Sequence, residues 1–148
     1  MKHIFLSLLY LFFLSCSKEK EPELPLEEIH TKTANFLVFA KEDFSDPGFD
    51  NLQVSIQLSV TKVSRKDKVI IARLWDSTYS QRPIKEYPYP EAKAIKVSKQ
   101  FTGIKDSTEL VKAVYSMQSQ RGAQQPSYTS MIYNFEKGNK TLHIKVTP

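Results

Sequence analysis

The chain is poor in the residues that build crosslinks and common active sites. Its 148 residues include one cysteine, four glycines, three histidines and one tryptophan. A single cysteine cannot close an intrachain disulfide, so an apolar core has to hold the fold. Four glycines leave no material for a glycine-rich phosphate loop. His3, His30 and His143 are scattered, which suits neither a zinc site nor a catalytic triad. The Cys…Trp…Cys spacing of antibody domains is impossible with one cysteine. Long apolar runs are missing too. The longest, Ile4 to Leu14, is about half the roughly 20 residues that a membrane-spanning helix needs.

That run has the length of a signal-peptide core. It follows the short, basic start Met1-Lys2-His3 and ends at Ser15-Cys16, a small residue before a cysteine. Phe13-Leu14-Ser15-Cys16 resembles the lipobox of bacterial lipoproteins, whose cysteine receives a diacylglyceryl group before a signal peptidase cuts ahead of it. Phe13 and Leu14 depart from the family's usual Leu and small residue, while Ser15 and Cys16 fit. The resemblance implies that residues 1–15 are a signal peptide and that Cys16 is the lipid anchor. It also implies that no thiol is left for nucleophilic catalysis. Each buried methylene contributes about 0.8 kcal/mol, and two acyl chains hold stably where one does not.

Ser17 to Glu28 carries two lysines against five glutamates and two prolines, with no hydrophobic period. Such a segment buries too little apolar surface to offset its ordering entropy, so residues 16–30 are expected to be a flexible tether. Its Lys/Glu run resembles the surface-export signal of Bacteroidota lipoproteins, which implies the outer membrane, with a periplasmic or surface-exposed domain. Residues 31–148 are enough for one domain with a core of its own. With 18 Lys/Arg against 11 Asp/Glu after the tether, the domain is basic, which favours acidic membrane surfaces. Export makes nucleic acid the weaker partner.

The clearest structural signal is Leu52-Gln53-Val54-Ser55-Ile56-Gln57-Leu58-Ser59-Val60. Strict alternation puts every apolar side chain on one strand face and Gln or Ser on the other. Phe36 to Ala40 and Ala94 to Val97 read as shorter strands. Val69 to Trp75, apolar on both faces, is expected to be a central strand, linked to its predecessor through Ser64 to Lys68. Asp46-Pro47-Gly48 is a turn signal. Tyr128 to Phe135 and Thr141 to Val146 flank Gly138 and are expected to form a hairpin. The stretch 107–120 fits a helix with a capping box at Ser107 or a strand with Val111, Ala113, Tyr115 and Met117 on one face. The strand is preferred because two more strands follow. The sum is an all-β fold, an antiparallel β-sandwich of about seven strands, immunoglobulin-like or transthyretin-like.

Candidate chemistry is sparse, and no catalytic residue, metal ligand or cofactor site is assigned. Glu42, Asp43, Asp46 and Asp50 gather carboxylates in one loop, but without the spacing of an EF-hand. The segment 76–91 is expected to be a long proline-stiffened loop. Its Tyr79, Arg82, Tyr87 and Tyr89 are the candidate contacts for a partner or glycan, because tyrosines give rigid, amphipathic contact area. Alternatively, the loop is a connector whose tyrosines pack on the sandwich edge. Lys93, Lys96, Lys99 and Lys105 form a basic stretch that either meets phosphates or guards a strand edge. The expected function is a lipid-anchored, non-enzymatic module that binds or scaffolds proteins at the cell envelope. Glycan or small-ligand capture through 76–91 is the alternative.

Overall fold

A computed structural model of the chain describes residues 28–136 and 138–148. The leader, Cys16 and most of the charged segment after it lie outside the described residues. Seven strands follow one another: β1 (Ile29–Ala40), β2 (Leu52–Ser64), β3 (Ile70–Pro83), β4 (Ile95–Lys105), β5 (Glu109–Arg121), β6 (Ser127–Phe135) and β7 (Asn139–Val146). They form two sheets, one ordered β4-β1-β7 and the other β3-β2-β5-β6. The all-β sandwich is therefore present. An immunoglobulin constant domain would place its first, second, fifth and fourth strands together. Here β1 sits in the opposite sheet from β2 and β5, so the strand order differs from that of an immunoglobulin constant domain.

The alternation in β2 does what its period requires. Leu52, Val54, Ile56, Leu58 and Val60 are all buried, and they meet Phe36, Val38, Leu142, Ile144 and Val146 of the other sheet in one core. β5 runs antiparallel to β2 along its whole length, from Leu52↔Arg121 to Ser64↔Glu109, with Val111, Ala113, Tyr115 and Met117 turned inward. The strand reading of 107–120 holds. A helix would have put some of these four on the outside.

Four expectations need correction. β3 is an edge strand rather than a central one, and Ile70 and Ile71 are 63% and 51% exposed; a run that is apolar on both faces does not tell a covered strand from an uncovered one. β6 and β7 do not form a hairpin. Gly138 takes a positive φ of 56°, but the chain there crosses from one sheet to the other, and β7 pairs with β1. That pairing is parallel, so the sandwich is not wholly antiparallel. Finally, the ordered domain begins earlier than residue 31. Ile29 and His30 already pair with Lys105 and Ile104, which places His30 in β1 rather than in a tether.

One polar cluster closes the end of the sandwich where β1 begins. Lys32 is wholly buried, its Nζ 2.6 Å from Asp106 Oδ1, and it donates to the carbonyls of Phe135 and Glu136 at 3.2 and 3.0 Å. Arg65 Nε donates to the carbonyls of Asp106 and Glu109 at 2.8 and 3.0 Å. Buried Glu109 pairs with Lys62 at 2.8 Å and accepts from the Lys105 amide at 2.9 Å. These contacts tie the β4–β5 turn to β1, β2 and β6.

Candidate binding surfaces

The segment expected to be one long loop is only partly a loop. Asp76 to Pro83 is the second half of β3, laid against β2 through Gln57↔Thr78 and Val54↔Arg82. Two short 3-10 turns follow, Ile84–Glu86 and Glu91–Lys93. Ile84 is fully buried, and Tyr87 is 3% exposed with its hydroxyl donating to the Val54 carbonyl at 3.2 Å. Tyr87 is thus a core residue with little surface to offer a partner. Proline and tyrosine density marked the segment, but it could not say which tyrosine turns inward.

Three of the four candidates do come together. The Arg82 guanidinium lies over the rings of Tyr79 and Tyr87 at 5.7 and 5.6 Å. Burial pushes the Tyr87 hydroxyl up to about 12, against the opposing pull of Arg82, and raises Tyr79 in the same way. Tyr89 stands apart, 46% exposed. Lys85, beside this corner, pairs with Asp50 at 2.8 Å. Asp46 accepts from the Gly48 amide at 2.7 Å and Asp43 from the Ser45 amide at 3.0 Å. Two of the four carboxylates of the 42–50 loop, Asp43 and Asp46, therefore serve its own turns, and Asp50 is taken by Lys85. Of the lysines of the basic stretch, Lys99 lies over Trp75 at 5.6 Å, so part of that charge covers an aromatic on the edge strand β3.

The larger open surface lies on the four-stranded sheet, and the loop-centred reading missed it. Facing a sheet of three strands, the sheet of four has more inner face than its partner covers. On β6 only Phe135 is buried and Tyr133 is half-buried. Tyr128, Met131 and Ile132 are 73%, 46% and 64% exposed. Two tyrosine hydroxyls point at the thioether of Met131, Tyr115 at 3.0 Å and Tyr133 at 3.6 Å, and the two rings stack with centroids 6.4 Å apart. The outer face of the same sheet carries a depression of about 280 Å³ lined by Ser55, Gln57, Thr78, Ser116, Gln118 and Tyr128. These are the wet-face residues of β2 with their lateral neighbours, since Ser55 pairs with Gln118 and Gln57 with Ser116. Hydroxyls and amides there offer donors and acceptors without net charge.

His30 and His143 do not converge. His143 Nδ1 is 2.6 Å from Glu91 Oε1 on the three-stranded sheet, and His30 lies 3.5 Å from Glu28 at the start of β1. Among the described residues no three His, Cys, Asp or Glu side chains come together to hold a metal ion. Compared with known proteins, the chain matches no family model, no curated protein and no solved structure.

Proposed function

We propose that the protein is a lipid-anchored, non-enzymatic binding module of the cell envelope, held through Cys16 at the outer membrane and docking a protein along β6. The observation that carries this reading is the state of that strand. Ser127 to Phe135 has no charged residue, forms one edge of its sheet, and leaves Tyr128, Met131 and Ile132 in solvent. An edge strand presents a row of backbone donors and acceptors that another chain can extend. Exposed tyrosine, methionine and isoleucine beside it supply the apolar contact that such docking needs. The anchor keeps the domain where envelope proteins are concentrated.

A photo-crosslinking residue in place of Ile132, compared with one in place of Lys145 on β7, tests this in intact envelopes. Docking on β6 predicts discrete protein adducts from position 132 and none from 145. Equal labelling from both, or none from either, overturns it.

Glycan capture is the second reading, supported by the uncharged depression beside Tyr128. Amide and hydroxyl side chains hydrogen-bond sugar hydroxyls, and an aromatic ring offers a face for a sugar ring to lie on. On this reading Gln57→Ala with Tyr128→Ala abolishes retention on envelope polysaccharide, while Tyr89→Ala leaves it intact.

A further inference from the structure

Four strands form the sheet edges: β4 and β7 of the three-stranded sheet, β3 and β6 of the other. Three of them carry the features that stop edge-to-edge pairing. β4 presents Lys96, Lys99 and Lys105, and β7 presents Lys140, His143 and Lys145. β3 bears Arg73, Asp76 and Arg82, ends at Pro83, and breaks register with β2 at three places. β6 lacks the charges that the other three carry. From Ser127 to Phe135 it has no Lys, Arg, Asp, Glu, Pro or Gly, and its register with β5 is unbroken from Val111↔Phe135 to Ser119↔Ser127. An uncharged edge of regular register with exposed tyrosine, methionine and isoleucine is the kind of edge that soluble proteins otherwise guard against.

Building on the docking reading above, we infer that the occupant of this edge is β6 of a second copy, paired antiparallel about a two-fold axis to give one continuous eight-stranded sheet. The argument is one of charge matching. The domain is strongly basic, with 18 Lys/Arg against 11 Asp/Glu, so two copies repel unless they meet where that charge is absent. β6 is the edge strand that carries none of it. Because the strand is neutral throughout, no antiparallel register sets like charges opposite each other. Self-pairing of β4 or β7 would bring several lysines of each copy to the same seam. An isologous contact also makes each β6 both donor and acceptor for its copy, so both rows of backbone groups are satisfied at once.

Packing points the same way. The Tyr115–Met131–Tyr133 cluster stands on the side of β6 that the three-stranded sheet leaves uncovered. A dyad at this edge brings two such clusters together, thioether beside aromatic, which is a favourable contact. On the outer face Tyr128 and Ile132 would gain cross-strand neighbours in the same step. Confinement of anchored copies to one membrane raises their effective concentration, so a contact of modest strength in solution is sufficient there.

The test uses the chain from Ser17 to Pro148, whose core lies wholly within the described residues, in sedimentation equilibrium from micromolar to millimolar concentration. The expected result is a concentration-dependent doubling of mass. Ile132→Lys with Tyr128→Lys should hold the mass at that of one chain across the range, with unchanged circular dichroism because both positions are exposed. Lys145→Glu on β7 should leave the doubling intact. A cysteine series through Ser130, Met131 and Ile132 in the same chain, which holds no other cysteine, should crosslink two copies under oxidation. A chain that stays monomeric throughout, or a dimer that ignores the β6 lysines, overturns the inference. A monomer whose β6 crosslinks a different protein overturns the second copy and leaves the docking reading standing. A monomer with no adducts at all overturns both.

Discussion

The Lys32 ammonium, with no part of its side chain in solvent, lies 2.6 Å from Asp106 Oδ1 and bridges the first strand of the domain to the β4–β5 turn. The oxygen is itself shielded and has no hydrogen bond of regular geometry among the described residues, so the ammonium charge compensates it. Burying such a pair costs desolvation on both sides, and removing one partner strands the other. Asp106→Ala should therefore destabilise the domain by about 3 kcal/mol, at the low end for a buried pair because Asp106 keeps some solvent access. Replacing both, Lys32→Met with Asp106→Leu, should recover a large part of that loss. Urea denaturation of the two variants beside the parent decides it: an Asp106→Ala chain as stable as the parent contradicts the account.

Glu109 predicts the response to acid. Burial pushes its carboxyl up, but the Lys105 amide and the Lys62 ammonium together outweigh that and hold it below the usual glutamate value. A carboxylate depressed in the folded state stabilises above its unfolded pKa, about 4.3, and loses that contribution as pH falls through the folded value. Stability should drop as pH falls below about 4, and Glu109→Gln should flatten this part of the profile. A profile unaltered by the substitution would assign the acid sensitivity elsewhere.

Tyr87 governs the alkaline side. Its hydroxyl, shielded by burial and pushed up to about 12, donates to the Val54 carbonyl. With the folded value above the unfolded one of about 10, the contribution is complete below about 10 and lost as pH rises through the folded value. Burial also raises Tyr79 and Tyr115, and ultraviolet titration of the phenolates should show, among the late groups, one near 12 that Tyr87→Phe removes. The same substitution should cost about 1 kcal/mol, the worth of one hydrogen bond, whereas Tyr87→Ala should cost about 3–5 kcal/mol through the cavity it leaves.

Exposed and buried members of the four-stranded sheet should separate by more than their hydrophobicity. Ile56 is fully buried in the core and Ile132 is 64% exposed on β6. In thermal melts of dilute protein, Ile56→Ala should cost about 2–5 kcal/mol, while Ile132→Ser should stay within about 0.5 kcal/mol. A large loss from Ile132→Ser in the monomer would mean that the residue supports the fold and is not free to dock.

Much of the sandwich was legible because period two is a strong signal. Leu52 to Val60 announced its inward face residue by residue, and Leu142, Ile144 and Val146 did the same in β7. Strand neighbours were not legible. Nothing local distinguishes Ile70 on an edge from an isoleucine in the middle of a sheet, and Gly138 permits a hairpin and a crossover equally. The candidate contacts Tyr79, Arg82 and Tyr87 were found as a group, but the cluster they form packs against the core more than it reaches outward. The absence of charge from Ser127 to Phe135 was on view in the sequence. It acquired meaning only when β6 proved to be an edge whose faces the other sheet does not cover.

The account rests on the domain working at a membrane, and Cys16 decides that. Metabolic labelling with an alkyne fatty acid in a bacterial host, parent chain against Cys16→Ser, reads it out directly. The account predicts that the parent is labelled and sediments with membranes, while the Cys16→Ser chain is unlabelled and released. An unlabelled parent, or a Cys16→Ser chain labelled as strongly as the parent, would contradict it.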